Sequence, residues 1–211
     1  IVGCFLRKDH PLFAQRIRQA ARHGAQVFSL NAVHDDWAMT LAGTLTAAQH
    51  DKIFRFGAVI KQELEKSGAT LALVARSGTD LSRFGERYSH AGFSLKHSPD
   101  TPWAVRQLYY ACEENKPRIF DQGMAAFLLG TNEPALAYVS VLLLPAEPAA
   151  ALERSALDKA MALKLLGSTY SANSYPWSER YQNCNQWVAE LLAAAWGLPP
   201  DSTAPRTQAQ A

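Results

Sequence analysis

The chain has 211 residues, of which 48% are hydrophobic and 19% charged, and its formal net charge is +2. This composition is typical of a folded globular protein and excludes a disordered chain. A net charge so close to zero argues against nucleic-acid binding, which depends on clustered basic surface. The longest apolar run, residues 136–144, has the length of a strand and is too short to span a bilayer. We therefore expect a globular domain with neither a nucleic-acid partner nor a transmembrane segment.

The first part of the chain predicts helices and one short strand. Apolar residues at helical spacing predict an amphipathic helix over residues 10–23, and the apolar run 26–33 predicts a strand. Thr46 and Gln49 have the spacing of a capping box. The helix that they open is expected to turn one apolar face towards the core and to end at Gly68. This face is formed by Ile53, Phe56, Ile60 and Leu64.

The rest of the chain predicts a group of strands followed by helices. Apolar and β-branched runs predict strands over residues 69–75, 88–95, 103–109 and 135–144. The loop between the second and third of these has hairpin chemistry. Helical patterns predict helices over residues 120–129, 149–166 and 184–196. This order of elements predicts a single α+β domain.

Three cysteines leave at least one thiol unpaired within the chain, and Cys184 is the strongest candidate for chemistry. It follows Asn183, a favourable N-cap, and so begins the last predicted helix, which we expect to stop at Gly197. Unpaired backbone N–H groups at a helix start favour a thiolate, so we expect a lowered pKa for this thiol. The structural alternative is a cysteine that fills the core beside Trp187 and Leu191.

A thiolate nucleophile needs a proton acceptor close in space, and His90 is the best candidate. It lies in a predicted strand beside Ala91 and Gly92, whose small size lets another element approach closely. Its structural alternative is a histidine that bonds a buried carbonyl. In the next strand, either Arg106 or Gln107 can face the imidazole. Gln107 is preferred as the residue that orients it, because an amide oxygen accepts a hydrogen bond and a guanidinium cannot.

Other polar groups offer weaker signals. Residues 34–36 (His-Asp-Asp) are adjacent and do not share a face, so we predict no metal site there, and no cofactor is implied. Asp121 and Gln122, before a glycine, indicate a turn rather than an acid–base pair. Cys112 follows a predicted strand and is expected to be structural rather than reactive.

The arrangement of the two candidate catalytic residues resembles a known fold. A strand histidine followed much later by a cysteine at a helix start is similar to the circularly permuted papain-like fold. Members of that superfamily include NlpC-type cell-wall peptidases and lecithin–retinol acyltransferase-like enzymes. In the permuted members the histidine precedes the cysteine, as His90 precedes Cys184 in this chain.

From about residue 68 to its end, the chain also resembles an uncharacterised bacterial family of exported proteins. The resemblance rests on segments 69–76, 78–81, 87–93, 175–177, 180–182 and 185–187. It implies a permuted papain-like domain over residues 46–198, with a small antiparallel sheet packed against helices. An N-terminal extension, helical in part, would occupy residues 1–45, and a linker residues 199–211.

The function implied is that of a cysteine-dependent hydrolase or acyltransferase. Cys184 would be the nucleophile, His90 the general base and a strand residue such as Gln107 the orienting group. The substrate would be an amide or a thioester, such as a cell-wall peptide or an acyl chain. Nearby aromatic residues are expected to line an apolar pocket. They are Tyr88, Trp177, Tyr181 and Trp187. The alternative is an inactive binding or assembly module of the envelope that keeps the fold.

The resemblance also implies export to the periplasm or beyond, with a signal peptide removed. In an oxidising compartment, Cys4 and Cys112 are the residues available for one disulfide. The chain begins without a methionine and stops among helix-forming residues 208–211. We therefore expect a processed N-terminus and a C-terminal segment that continues further.

Overall fold

The computed structural model of the chain describes residues 17, 19–23, 28–29, 43–44, 46–111, 114–129, 136–197 and 206–207. Residues 17 and 19–22 are helical, within the helix predicted over residues 10–23. Within the strand predicted over residues 26–33, Phe28–Ser29 forms β1, which pairs in parallel with β2, Gly43–Thr44. Cys4, Cys112 and residues 34–36 lie outside the described residues.

Helix α1 (Ala47–Lys66) begins at the predicted capping box. The backbone N–H of Gln49 donates to Thr46 Oγ1 at 3.2 Å, and the backbone N–H of Thr46 donates to Gln49 Oε1 at 2.8 Å. The chain turns after the helix at Gly68, whose φ of 72° is a left-handed conformation that glycine adopts easily.

The buried face of α1 differs in one position from the prediction. Ile60 and Leu64 are buried as expected, but Phe56 is exposed and Gly57 packs inward instead. A Cβ atom at Gly57 would lie 3.2 Å from the backbone nitrogen of Ala125, so the two helices approach too closely for a larger side chain. The inclusion of Phe56 in the core face was therefore wrong.

The main sheet has five antiparallel strands in the order β6-β5-β4-β3-β7. Their bounds are β3 Leu71–Arg76, β4 His90–Leu95, β5 Ala104–Ala111, β6 Lys116–Gln122 and β7 Val139–Leu143. The predicted β4–β5 hairpin is confirmed. The predicted strand 135–144 is shorter than expected, because β7 pairs with β3 only over residues 139–143.

Strand β6 was not predicted, and residues 120–122 belong to it rather than to a helix. Helix α2 (Met124–Leu128) therefore starts later than the predicted helix over 120–129. The cause is non-local, because β6 pairs with β5 along its whole length. Cross-strand pairing overrides the weak helical preference of a short segment.

The predicted helix over 149–166 is divided into α3 (Ala146–Leu157) and α4 (Lys159–Lys164). The break occurs at Asp158, whose carboxylate accepts hydrogen bonds from the backbone N–H groups of Ala160 and Met161 at 2.8 and 3.1 Å. An aspartate used as an N-cap ends one helix and starts the next. The last helix, α5 (Cys184–Gly197), agrees with the prediction and continues one residue further.

Helices cover both faces of the main sheet, which confirms the α+β class. Helices α1 and α2 pack on one face, against a cluster that includes Ala72, Val74 and Val105. Helices α3, α4 and α5 pack on the other, against Leu71, Phe93, Leu95 and Leu108. In the part of the chain that the structure describes, no helix combines the length and apolar character needed to cross a membrane.

Candidate active site

The candidate site lies where β3 ends, β4 begins and α5 starts. The side-chain amide of Asn185, in the first turn of α5, donates to the carbonyl of Ser89 at 3.3 Å. Strands β4 and β5 pair only between residues 93–95 and 104–106. The paired part of the two strands therefore ends before His90, and polar side chains occupy this end of the sheet.

The imidazole of His90 contacts the side-chain amide of Gln107. His90 Nε2 lies 2.5 Å from Gln107 Oε1, and both side chains are buried. Gln107 Nε2 donates to Gln122 Oε1 at 2.6 Å, which holds the amide oxygen towards the ring. Because an amide oxygen only accepts, the imidazole carries its proton on Nε2. The lone pair on Nδ1 is then the proton acceptor that His90 offers.

Arg106, the other candidate for orienting His90, has a structural role. Its guanidinium donates to both oxygens of Asp121, at 2.7 and 2.6 Å, and to the carbonyl of Ala156 at 2.5 Å. Asp121 is therefore a strand residue in a buried ion pair, and Gln122 supports Gln107. The prediction of a turn at these two residues was wrong, because they belong to the paired strand β6.

Gly92 permits the close approach that brings Gln107 to His90. A Cβ atom at Gly92 would lie 2.8 Å from the carbonyl oxygen of Arg106, 2.8 Å from Val105 Cγ1 and 3.2 Å from Gln107 Cβ. All three of these atoms belong to β5, so β5 is the strand that packs closely against Gly92. A larger residue at this position would push β5 away from β4.

Cys184 begins α5, as predicted, and its side chain is only 8% exposed. Asn183 caps the helix, because its Oδ1 accepts from the backbone N–H of Gln186 at 2.8 Å. The thiol donates to Asn185 Oδ1 at 3.7 Å, and the hydroxyl of Tyr170 is hydrogen-bonded to the sulfur. Cys184 is a free cysteine at the margin of the core cluster that also contains Trp187.

Burial raises the pKa of the Cys184 thiol above its ordinary value. The backbone N–H groups of Asn185 and Cys184, the hydroxyl of Tyr170 and the charge of Arg76 oppose this shift without cancelling it. The prediction of a lowered pKa was therefore wrong. It considered the N–H groups at the helix start and could not include the desolvation of a thiol packed against the core.

Burial also lowers the pKa of His90, to about 4, with the positive charge of Arg76 adding to the effect and Gln107 opposing it. At neutral pH, the resting site thus holds a neutral thiol and a neutral imidazole. No hydrogen bond joins these two described side chains, since the ring contacts Gln107 and the sulfur contacts Asn185 and Tyr170. The His90 ring is turned towards Phe127 of α2, with 6.0 Å between the ring centroids.

A cavity of about 390 Å³ lies beside the start of α5. It is lined by Pro176, Trp177, Asn183, Asn185, Gln186, Ala189 and Glu190. Trp177 is exposed, and its ring lies 5.5 Å from that of Tyr175. Of the four aromatic residues predicted to line a pocket, the structure thus places Trp177 at this cavity.

The other three predicted pocket residues lie elsewhere. Trp187 is completely buried, and its indole N–H donates to the carbonyl of Ala162 at 3.3 Å, so it is a core residue and not part of a pocket. Tyr88 and Tyr181 are not among the residues that line the cavity. Tyr181 instead packs against the guanidinium of Arg180, with 5.0 Å from Cζ to the ring centroid. Trp187 lies one helical turn after Cys184, on the face of α5 that packs into the core, and it therefore does not line the cavity.

Arg76 and Tyr170 belong to the site and were missed from the sequence. Arg76 ends an apolar strand, and a charged residue there is the one signal that could have identified it. Tyr170 lies in an irregular segment and forms an isolated β-bridge with Gln182, which precedes α5 in the chain. Within the described ranges, no three His, Cys, Asp or Glu side chains group as metal ligands.

The fold and the site together define an α+β domain with cysteine, histidine and glutamine side chains at one end of a five-stranded sheet. The chain belongs to the family described as "Uncharacterized protein conserved in bacteria (DUF2145)", which matches residues 63–211. The match includes the main sheet, α5, His90 and Cys184, and it confirms the predicted relation to an uncharacterised bacterial family. No curated protein and no solved structure matches the chain.

Proposed function

We propose that this protein is a papain-like cysteine hydrolase or acyltransferase of the bacterial envelope, related to the permuted NlpC type. Cys184 is the nucleophile, His90 the general base and Gln107 the residue that orients the imidazole. One observation carries the proposal, the 2.5 Å contact between His90 Nε2 and Gln107 Oε1. It leaves Nδ1 as a proton acceptor at the end of the sheet where the helix of Cys184 starts.

The reaction begins with transfer of the thiol proton to His90 Nδ1 as the sulfur attacks the carbonyl carbon of an amide or thioester. The S–C bond forms, and the carbonyl electron pair moves to oxygen. The backbone N–H groups of Asn185 and Cys184 and the hydroxyl of Tyr170 all interact with the sulfur, and they are the donors available to stabilise this oxyanion. The leaving amine or thiol takes the proton from the imidazolium, and water or an acceptor nucleophile then releases the acyl group from sulfur.

This sequence of steps requires the thiol to leave Asn185 Oδ1 and approach the imidazole. Catalytic hydrogen bonds are commonly long or misaligned before substrate binds, so the resting arrangement is compatible with the proposal. The cavity beside Trp177 supports a peptide or acyl group as substrate. The envelope location is supported by the family resemblance.

The test is the alkylation of Cys184 by iodoacetamide between pH 5 and pH 10, followed by peptide mass spectrometry so that Cys4 and Cys112 are read separately. We expect carboxamidomethylation of Cys184 with a rate that rises with pH. Incubation with a short acyl thioester or a cell-wall peptide mixture should add an acyl mass to the same peptide. His90→Gln should reduce this acylation at least about 100-fold, and Gln107→Leu should reduce it less. Cys184→Ser is the control that removes the label.

A second function is favoured by the burial of the thiol. If Cys184 resists alkylation up to pH 9 in the folded protein, the enzyme proposal fails. The protein would then be an inactive envelope binding or assembly module that keeps the fold. The raised pKa of the Cys184 thiol and the hydrogen bond that this thiol donates to Asn185 are the observations that support this alternative.

A further inference from the structure

We infer that the cavity beside Trp177 binds a saccharide, and that the amide or thioester attacked by Cys184 is attached to that sugar. The second part rests on the proposed function and names its substrate class, whereas the binding itself does not require a reactive thiol. Asn185 joins the two places, because it lines the cavity and its Oδ1 accepts the hydrogen bond from the Cys184 thiol at 3.7 Å. A ligand in the cavity therefore lies next to the candidate nucleophile.

A pair of exposed aromatic rings is the first argument. Trp177 and Tyr175 are 61% and 65% exposed, and their ring centroids lie 5.5 Å apart with 50° between the ring planes. They flank Pro176 in the loop that precedes α5, and both Pro176 and Trp177 line the cavity. Paired aromatic surface of this kind, left in water on a loop beside a cavity, is typical of a ligand-binding site.

The rest of the lining is the second argument, because it consists mostly of amide side chains at the N-cap and in the first turn of α5. They are Asn183, Asn185 and Gln186. Ala189, one turn after Asn185, is exposed and leaves space above the helix. Glu190 is the one ionisable residue among the described lining residues, and the guanidinium of Arg206 holds its carboxylate at 3.1 and 3.2 Å. The cavity therefore favours a neutral ligand over a charged one.

A saccharide matches this lining better than an acyl chain or a peptide alone. A pyranose ring has an apolar face of C–H groups, which packs on an aromatic ring, and a rim of hydroxyls, which hydrogen-bond with amides. An acyl chain would bury the amides without hydrogen-bond partners. An extended peptide is commonly bound through main-chain hydrogen bonds to a strand edge, and the described lining residues belong to a loop and a helix. The volume of about 390 Å³ is within the range of small-molecule sites.

The experiment is a ligand-observed NMR titration with tri-N-acetylchitotriose, a neutral trisaccharide whose β-linked rings keep flat apolar faces. It uses the Cys184→Ser protein, in which no acyl transfer to the thiol can take place. We expect saturable binding that Trp177→Ala weakens at least about tenfold. Ala189→Gln, which places a longer side chain in the cavity, should weaken the binding as well.

Trp196→Ala is the matched control, and it should leave the binding unchanged. Trp196 is 51% exposed, close to the value for Trp177, but it lies at the other end of α5. Its indole N–H donates to the carbonyl of Pro148 at 3.1 Å. A loss of binding in Trp177→Ala and not in Trp196→Ala is therefore a property of the cavity and not of exposed indole rings in general.

The inference is overturned if no saturable binding occurs up to about 10 mM, or if Trp177→Ala leaves the binding unchanged. Tighter, Trp177-dependent binding of octanamide or of an uncharged alanine peptide would replace the saccharide by an acyl chain or a peptide. If Trp177→Ala does not fold, Ala189→Gln decides. Saccharide binding by a protein whose Cys184 resists alkylation would reject the enzyme and leave a saccharide-binding module. Acylation of Cys184 without saccharide binding would reject this inference alone.

Discussion

At the scale of single residues, the buried imidazole of His90 couples the stability of the protein to pH. Its pKa is about 4 in the folded chain, because burial disfavours the charged form. In an unfolded chain the pKa returns to about 6.5. Between these values the unfolded state binds more protons, so the free energy of unfolding decreases as the pH falls from about 6.5 to about 4.

This coupling predicts the behaviour of His90→Gln, which removes the titrating ring. From pH 7 to pH 4, the wild type should lose about 3 kcal/mol more stability than this variant. Urea denaturation at the two pH values measures the difference. His23→Gln, a change at an exposed histidine, is the control and should follow the wild type. Equal pH dependence of the wild type and His90→Gln would mean that His90 is not a buried neutral base.

At the scale of elements, the contact between β4 and β5 depends on Gly92. We predict that Gly92→Ala destabilises the protein by about 1–3 kcal/mol, because the added methyl group overlaps the backbone of Arg106 and the side chain of Val105. The same change should separate Gln107 from His90 and alter the NMR shift of the ring. Gly123→Ser is the control, since a Cβ atom there meets no heavy atom within 4 Å. Equal stability of the two variants would show that the contact between β4 and β5 does not require a glycine at position 92.

A second element-scale feature is the hold of Arg206 on the loop that precedes α5. Its guanidinium contacts both carboxylate oxygens of Glu190, at 3.2 and 3.1 Å. It also donates to the carbonyls of Ser178 and Tyr181, at 2.6 Å each, and of Glu179 at 2.5 Å. This arginine ties the loop to the helix that carries the candidate nucleophile.

We predict that Arg206→Ala destabilises the protein by about 3–5 kcal/mol, because it leaves the buried Glu190 carboxylate without this guanidinium. The double variant Arg206→Met, Glu190→Gln should recover part of the loss, since no buried charge remains. Thermal and urea unfolding of the single and double variants measure this. A double variant as unstable as Arg206→Ala would show that the carbonyl contacts, rather than the ion pair, stabilise the loop.

At the scale of the whole molecule, the two edges of the sheet differ. Strand β6 carries charged residues and a proline, which protect an edge from pairing with another chain. Residues 136–145, which include β7, have no charged side chain, and Val141, Leu142 and Leu143 are exposed. An apolar edge strand of this kind favours self-association at high concentration.

This asymmetry predicts that Leu142→Lys lowers self-association and changes the free energy of unfolding by less than about 1 kcal/mol. Leu163→Lys on α4 is the matched control, because Leu142 and Leu163 are 51% and 49% exposed. Sedimentation velocity over a concentration series compares the variants. If both substitutions reduce association equally, general surface hydrophobicity and not the β7 edge is responsible.

Local sequence signals were sufficient for much of the fold. The capping box of α1, the N-cap at Asn183 and the strands β3, β4 and β5 follow from side chains that act on their own backbone or on one side of their own element. The position of Cys184 at the start of α5 is likewise a feature that local signals predict. The choice between Arg106 and Gln107 also began as a local argument, from strand alternation and from the fact that an amide oxygen accepts.

Only the tertiary structure decided the features that depend on distant partners. Strand β6 forms because β5 lies beside it, and Gly57 replaces Phe56 on the packed face of α1 because α2 approaches so closely. Burial, which no local pattern shows, raises the pKa of Cys184 and lowers that of His90. Arg76 and Tyr170 join the site through space. Caps and periodicity are short-range properties, whereas desolvation and charge proximity arise only when the whole chain is packed.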